Sequence, residues 1–395
     1  MKILPNISFK NTSTGISKMW YKILNLEASL FPLLKEELRV KELSHKEQKL
    51  IKILDFARIE KNITVASVTN TPRDKQEIAR AFIAKSVYNI QTTRELIDRL
   101  KNDRTLRILC GWRYERHIPS ESKFSRVFRE LSDLQIAQKM HEQFVKEYLS
   151  DTLFFYNASD ATKIPLREKP LKVKKEVKPK GKRGRLKKDE VVKAKNPTIL
   201  ELQQKMQTTK EMLSLVSSHC GVGIKQNSKG NREVWIGGKL HLSVVDGDIP
   251  ITAFYSGANV HDSSVALPLM NETSQRVSYL YDLQDAGYDS RIIRDFSKKL
   301  NHKPIIDINP KNSKELKEKI ELKREEQKKF RLLNLPQNSN IYHYNQRSMA
   351  ERVNKYLKED FGCNTIYYQG ATKVASVLAF GILSICIHQS LKLVT

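Results

Sequence analysis

The sequence predicts an α/β fold: a mixed sheet flanked by helices, preceded by an all-helical N-terminal region. Three observations lead there. Residues 70–150 carry dense, amphipathic, helix-periodic segments with no strand-like run. At residue 152 the pattern switches to the aromatic and β-branched stretch TLFFYNASDATKI. From there the order is strand, hairpin, helix, strand, helix, strand, helix, which suits one sheet with helices on both faces.

The elements follow in order. KMWYKILNLEASLFPLLKEELRVKEL, within residues 18–60, has a charged helical pattern. Three further segments each predict a helix: EIARAFIAKSVYNI, TRELIDRLKNDRTLRILCGW and SESKFSRVFRELSDLQIAQKMHEQFVKEYL, the last with Ser120 as its N-cap. Arg113, Arg116, Lys123, Arg126 and Arg129 cluster among them. They suit either a helix-turn-helix-like nucleic-acid module or an ordinary bundle with a basic surface, and no recognition helix is specified. After the strand at 152, ILELQQKMQTTKEMLSLVSSH predicts a helix. WIGGKLHLSVVDGDIPITAFYSGANV predicts a hairpin turning at Asp246, Gly247 and Asp248. A helix from Ser263 to about Met270 follows, then a strand in VSYLYDLQDAGYDS, a helix in SRIIRDFSKKL and a strand in KPIIDINP. A charged helix, KELKEKIELKREEQKKFRLL, leads to YNQRSMAERVNKYLK, and an apolar helix from Thr372 to Leu391 closes the order.

Composition narrows the function. Lys and Arg number 70 against 44 Asp and Glu, a surplus of 26, with an isoelectric point near 9.7. Such a chain favours a polyanionic partner, nucleic acid ahead of an anionic membrane surface, because neutralising phosphates releases counterions. The most apolar run, Val374 to Ile387, spans 14 residues and suits a buried core helix better than a membrane span. The N-terminal stretch MKILPNISFKN lacks the features of a secretory signal. Cys110, Cys220, Cys363 and Cys386 are scattered, with no C-x-x-C pair, and are expected to be reduced thiols in a cytoplasmic protein.

The positive charge is concentrated in one place. Residues 163–195 hold 15 Lys/Arg and 4 Asp/Glu, too polar to bury a core, so a mobile arm is expected there. Within it KGKRGRLKK resembles an AT-hook apart from Leu186, where a proline would follow the second arginine. A nonspecific phosphate-binding tether is the other explanation, and either would use Lys182, Arg183, Arg185, Lys187 and Lys188.

Two aspartates close apolar strands: Asp160 after LFFYNAS and Asp285 after YLYDLQ. A carboxylate there is costly unless compensated, and Mg²⁺ or Mn²⁺ is a natural compensator. Asp246, Asp248, Asp262, Asp282 and Asp289 compete for the same role, with Asp282 the nearest rival on the opposite strand face. In YNQRSMAERVNKYLK, helical spacing puts Tyr344, Arg347, Glu351 and Lys358 on one stripe. Alone, that stripe would suit a salt-bridged surface. Together with the two aspartates, Glu351 would supply a third carboxylate, enough for two ions ~3.5–4 Å apart in a phosphoryl-transfer site.

These landmarks carry a resemblance. The intervals Tyr344–x2–Arg347–x3–Glu351–x6–Lys358, SDAT around Asp160, DAGYDS around Asp285 and the hairpin GGKLHLSVVDGDIPITAFYSGANVHDS are similar to those of DDE transposases of bacterial insertion sequences, whose catalytic core is RNase H-like. The resemblance covers roughly residues 153–391, and 70–150 more loosely. It implies a division at about residue 150: a helical domain binding the terminal repeats (1–150), then a catalytic domain (151–395) with a flexible basic insertion at about 163–197. It implies Asp160, Asp285 and Glu351 as a metal-binding catalytic triad holding two Mg²⁺ or Mn²⁺ ions. Tyr344, Arg347 and Lys358 would contact DNA near the cut. The implied activity is cut-and-paste transposition by a homodimer or larger synaptic complex on terminal inverted repeats and target DNA. No membrane or small-molecule substrate is implied, and the expected place is the bacterial nucleoid. Only 65 residues separate Asp285 from Glu351, so a large β-rich insertion domain is not expected. Two alternatives remain open: a catalytically decayed or repurposed DNA-binding protein, and an RNase H-like nuclease acting on RNA–DNA hybrids.

Overall fold

The structure, a computed structural model, describes residues 43–66, 74–170, 196–226, 230–311, 313–332 and 339–394, with the isolated positions Gly15 and Met19. The helical region contains α1 (His45–Ala57), α2 (Ile59–Ala66), α3 (Lys75–Val87), α4 (Thr93–Asn102), α5 (Arg104–Cys110), α6 (Glu121–Asp133) and α7 (Ile136–Tyr148). Local chemistry sets their starts. Ser44 and Glu47 form a reciprocal capping box on α1, and Ser120 accepts from the Lys123 N–H to cap α6 as expected. Two predicted helices are each broken in two. Asp103 ends α4, and its carboxylate then accepts from the Leu106 N–H at 3.0 Å to start α5. The 28 residues from Glu121 to Tyr148 would make a ~42 Å rod if straight. A left-handed Gln135 (φ 53°) folds it back, so that Phe124, Phe128 and Leu131 of α6 and Met140 and Phe144 of α7 are all buried.

The second region contains β1 (Leu153–Pro165), α8 (Ile199–Gln203), α9 (Thr209–Ser214), β2 (Gly221–Gln226), β3 (Arg232–Val245), β4 (Ile249–Gly257), α10 (Ala266–Arg276), β5 (Ser278–Gln284), α11 (Arg291–Lys299), β6 (Lys303–Ile306), α12 (Lys314–Leu332), α13 (Ser339–Asn345), α14 (Ser348–Glu359) and α15 (Ala371–Lys392). Strand β3 is central: β1 and β4 pair it antiparallel over residues 238–245, and β2 pairs its outer end. Strands β5 and β6 continue the sheet parallel to β1. The order β4-β3-β1-β5-β6, three antiparallel strands then two parallel ones, is that of an RNase H-like core. The hairpin turns where expected, with Gly247 and Asp248 both at positive φ (81° and 61°), the primed-turn geometry that matches strand twist. The predicted helix ILELQQKMQTTKEMLSLVSSH is instead two short ones, because Thr208 and Glu211 form a fresh capping box in its middle. Strand β2 was not expected from the sequence.

Helices cover both faces. Helices α10 and α11 lie on one, over a core that includes Met270, Ile293 and Phe296. On the other, α14 and α15 meet Leu240, Leu242 and Val244. Helix α15 is longer than the 14-residue apolar run and, among the described residues, is the one helix long and apolar enough to cross a membrane; 89% of its apolar window is buried inside the protein. It packs against β4 and also against α1, α3, α6 and α7. Phe380 stacks on Phe82 (5.8 Å), which stacks on Phe128 (4.3 Å). Gly381 permits the close crossing with α14, since a Cβ there would lie 2.8 Å from Leu357 and 2.9 Å from Cys363.

One buried histidine makes this packing acid-sensitive. His141 on α7 donates from Nε2 to the Pro250 carbonyl at 2.9 Å. Burial, reinforced by Arg276, holds its folded pKa down near 3, against 6.5 unperturbed. The unfolded chain therefore takes up a proton that the folded chain refuses, and stability present above pH 6.5 is lost as pH falls below it. The expected cost is ~2 kcal/mol at pH 5, from ~1.4 kcal/mol per pH unit. Urea unfolding of wild type and His141→Gln at pH 7 and pH 5 checks this: their stability difference should shift by that amount in favour of the variant, and an unchanged difference refutes it.

Candidate active site

Strands β1 and β5 run parallel with a fixed register, Leu153 opposite Ser278 through Ala158 opposite Leu283. Carried two residues on, that register sets Asp160 level with Asp285, on strands spaced ~4.8 Å apart. Both side chains leave the sheet on the face covered by α14. Asp160 is not at the end of its strand, as its sequence position implied: β1 continues to Pro165 because β3 keeps pairing it. Asp285 follows β5 directly, and its Oδ1 accepts from the Gly287 N–H at 2.9 Å in the turn AGY.

Helix α14 brings the third carboxylate. It is shorter than the sequence stripe implied. A break at Gln346–Arg347 leaves Tyr344 on α13 and Arg347 at the N-cap, so the four landmarks do not share one helix. The local pairing survives, because Arg347 still donates to Glu351 Oε1 at 2.7 Å across four residues. Tyr344 is half-buried with the Arg347 guanidinium 5.7 Å from its ring centroid. Burial and the neighbouring Asp307 push its phenol up to about 12. Lys358, one helical stripe along, donates to Thr162 Oγ1 at 2.5 Å beside Asp160. The structure therefore brings Asp160, Asp285, Glu351, Arg347 and Lys358 to one end of the sheet, with Tyr344 adjoining. Lys182, Arg183, Arg185, Lys187 and Lys188 lie outside the described residues.

Two participants escaped the sequence. Asn354, 6% exposed, donates from Nδ2 to Asp160 Oδ2 at 3.0 Å, while its Oδ1 is buried with no partner. Its only sequence signal is its place three residues after Glu351, on the same face. Arg352 forks onto Asp248 at 2.7–3.1 Å and donates to Ser348 at 2.8 Å, tying α14 to the hairpin tip.

The rival aspartates are committed elsewhere. Asp282 is fully buried on the opposite face, accepting from Ser297 (2.5 Å) and Asn157 (3.0 Å). Asp246 accepts from the Phe155 and Tyr156 N–H groups, Asp262 pairs with Lys239, and Asp289 pairs with Arg294.

Electrostatics of the site fit a cation. Burial raises the Asp160 pKa to about 6; the Ala161 N–H and Arg347 oppose this, while the negative charges of Asp285 and Glu351 add to it. Asp160 with two further carboxylates facing it makes an oxygen-rich, anion-excess site suited to Mg²⁺ or Mn²⁺. Among the described residues no three acidic, histidine or cysteine side chains converge closely enough to enclose an ion, and Glu351 is engaged by Arg347.

An RNase H-like sheet with aspartates at matched positions on its first and fourth core strands, and a glutamate helix across them, is the arrangement expected of a polynucleotidyl transferase. Family comparison agrees. Residues 159–387 match the transposase DDE domain and residues 36–130 match a second transposase domain (DUF772). The chain belongs to the DDE transposase family, of insertion-sequence type. It is an enzyme acting on DNA, and membership implies divalent-metal dependence. No curated protein and no solved structure matches the chain.

Proposed function

We propose that the protein performs cut-and-paste transposition of an insertion sequence, cleaving strands at the element ends and joining them to target DNA. The observation that carries this reading is the shared register of Asp160 and Asp285 beneath the helix that presents Glu351. In this reading those three residues hold two divalent ions per site. When bound, such ions activate the attacking hydroxyl and stabilise the leaving oxygen.

The remaining side chains act directly. Asn354 fixes one oxygen of Asp160, leaving the other free for ligation. Arg347 exchanges Glu351 for a phosphate of the cut strand, to which its planar fork is suited, and Lys358 adds a mobile point charge beside Thr162. Tyr344 stacks on a base or bonds a phosphate at the same end. The Arg352–Asp248 fork holds the helix so that Glu351 stays over the strand ends. Residues 1–150 would bind the terminal inverted repeats, the basic arm would track phosphates, and two or more copies would pair the ends before cleavage.

The test is a purified-protein assay on duplexes carrying the element's end, with Mg²⁺ or Mn²⁺ supplied. Nicking at the element boundary is expected, with little action on RNA–DNA hybrids. Preference for hybrids would replace this reading with a nuclease. Inertness on every end substrate would leave a repurposed DNA-binding protein.

A further inference from the structure

A second cationic site lies where α1 meets the last turns of α15, away from the carboxylates. A cleft of about 180 Å³ there is lined by His45, Lys49 and Lys52 of α1 and by His388 and Lys392 of α15. That is room for about six waters at ~30 Å³ each, or for one phosphate group. The convergence is built by spacing: His45, Lys49 and Lys52 fall on one helical stripe, and His388 and Lys392 are four apart. Lys49 and Lys52, like charges three residues apart, cost α1 a few tenths of a kcal/mol, so the arrangement works against α1 as an isolated helix.

Among the described residues, none of these five side chains makes a hydrogen bond or ion pair, and Lys49 lies over the Phe361 ring at 4.2 Å. Glu47 is committed to capping Ser44, leaving Asp360 as the carboxylate that acts on Lys49. Burial, opposed by Asp360 and reinforced by Lys392 and Lys46, brings Lys49 down to about 8. Burial with Lys49, Lys392 and Lys52 holds His388 near 4. Burial is the larger cause for both and the neighbouring ammonium groups add to it, so an anion bound between Lys49, Lys52 and Lys392 would relieve their mutual repulsion. The anion that suits several ammonium groups at once is an oxyanion with charge spread over its oxygens.

We infer that this cleft binds a phosphodiester of the DNA backbone, anchoring the duplex at the junction of the first and last described helices. It goes beyond the catalytic reading and needs none of Asp160, Asp285 or Glu351. A phosphate contact gives no sequence preference; it positions the duplex.

The experiment uses the full chain carrying Lys52→Gln with Lys392→Gln, and the Arg pair at the same positions. Duplex affinity is measured by fluorescence anisotropy from 50 to 300 mM salt. The Gln pair is expected to weaken binding about tenfold for any sequence and to lower the salt slope by about 1, as the loss of one phosphate contact requires. The Arg pair should keep both, and the thermal midpoint of the Gln pair should equal or exceed wild type. Wild-type affinity and slope in the Gln pair overturn the inference, as does weaker binding with an unchanged slope. A parallel arm adds inorganic phosphate. If phosphate raises the midpoint of wild type but not of the Gln pair, while duplex binding is unaffected, the cleft serves free oxyanions and the DNA assignment fails. Carboxylate variants lose cleavage without weakening duplex binding, whereas the Gln pair weakens it, so the two readings fail separately.

Discussion

Asp160→Asn is expected to abolish strand cleavage, by about 10³-fold or more, while the protein still binds DNA. The replacement keeps size, and its carbonyl can still accept from Asn354, so packing should hold. What it removes is a negative oxygen donor from a site whose chemistry depends on charge compensation worth several kcal/mol, each 1.36 kcal/mol being a decade in rate. Asp285→Asn and Glu351→Gln should behave alike. Duplex affinity should stay level or rise in all three, because each loses a negative charge. Calorimetry with Mn²⁺ gives an independent measure: heat present in wild type should vanish in the variants. Full activity in any of the three would end the triad assignment, and absence of acid-dependent heat in wild type would favour a decayed site. Asp282→Asn is the contrasting control. It disturbs the bonds to Ser297 and Asn157, so it should lower thermal stability yet leave cleavage measurable in the cold.

Phe380→Ala is expected to cost ~3–5 kcal/mol of folding free energy, the range for deleting a fully buried phenylalanine. Phe380 is 1% exposed and stacks on Phe82, which in turn stacks on Phe128. Because α15 touches both the N-terminal helices and β4, the loss should appear as one shifted urea transition. A loss under 1 kcal/mol, or early melting of the helical region alone, would show that the two layers do not depend on a common core.

Much of this was legible in the sequence, for identifiable reasons. Strands β1 and β5 announce themselves by aromatic and β-branched residues, and the β3–β4 hairpin by Asp-Gly-Asp between alternating apolar runs. Strand β2 was hidden because two of its six residues are glycines; Gly223 is required because a Cβ there would strike the Trp235 ring. The helix breaks at Gln135 and Gln346 carry no proline or glycine and follow from tertiary packing. The level placement of Asp160 and Asp285 depends on pairing between strands 125 residues apart, which no local pattern encodes. Asn354 went unnoticed because a neutral amide is not a residue type that marks a metal site.

The stacking of Phe82 on Phe380 joins residues 298 positions apart. During synthesis at ~5–20 residues per second, the nascent helical region waits roughly 15–60 s for the segment that fills it. Its apolar seam stays open to chaperones and to neighbouring chains for that interval. Such high contact order slows folding and favours self-association over correct closure when ribosomes are crowded on one message.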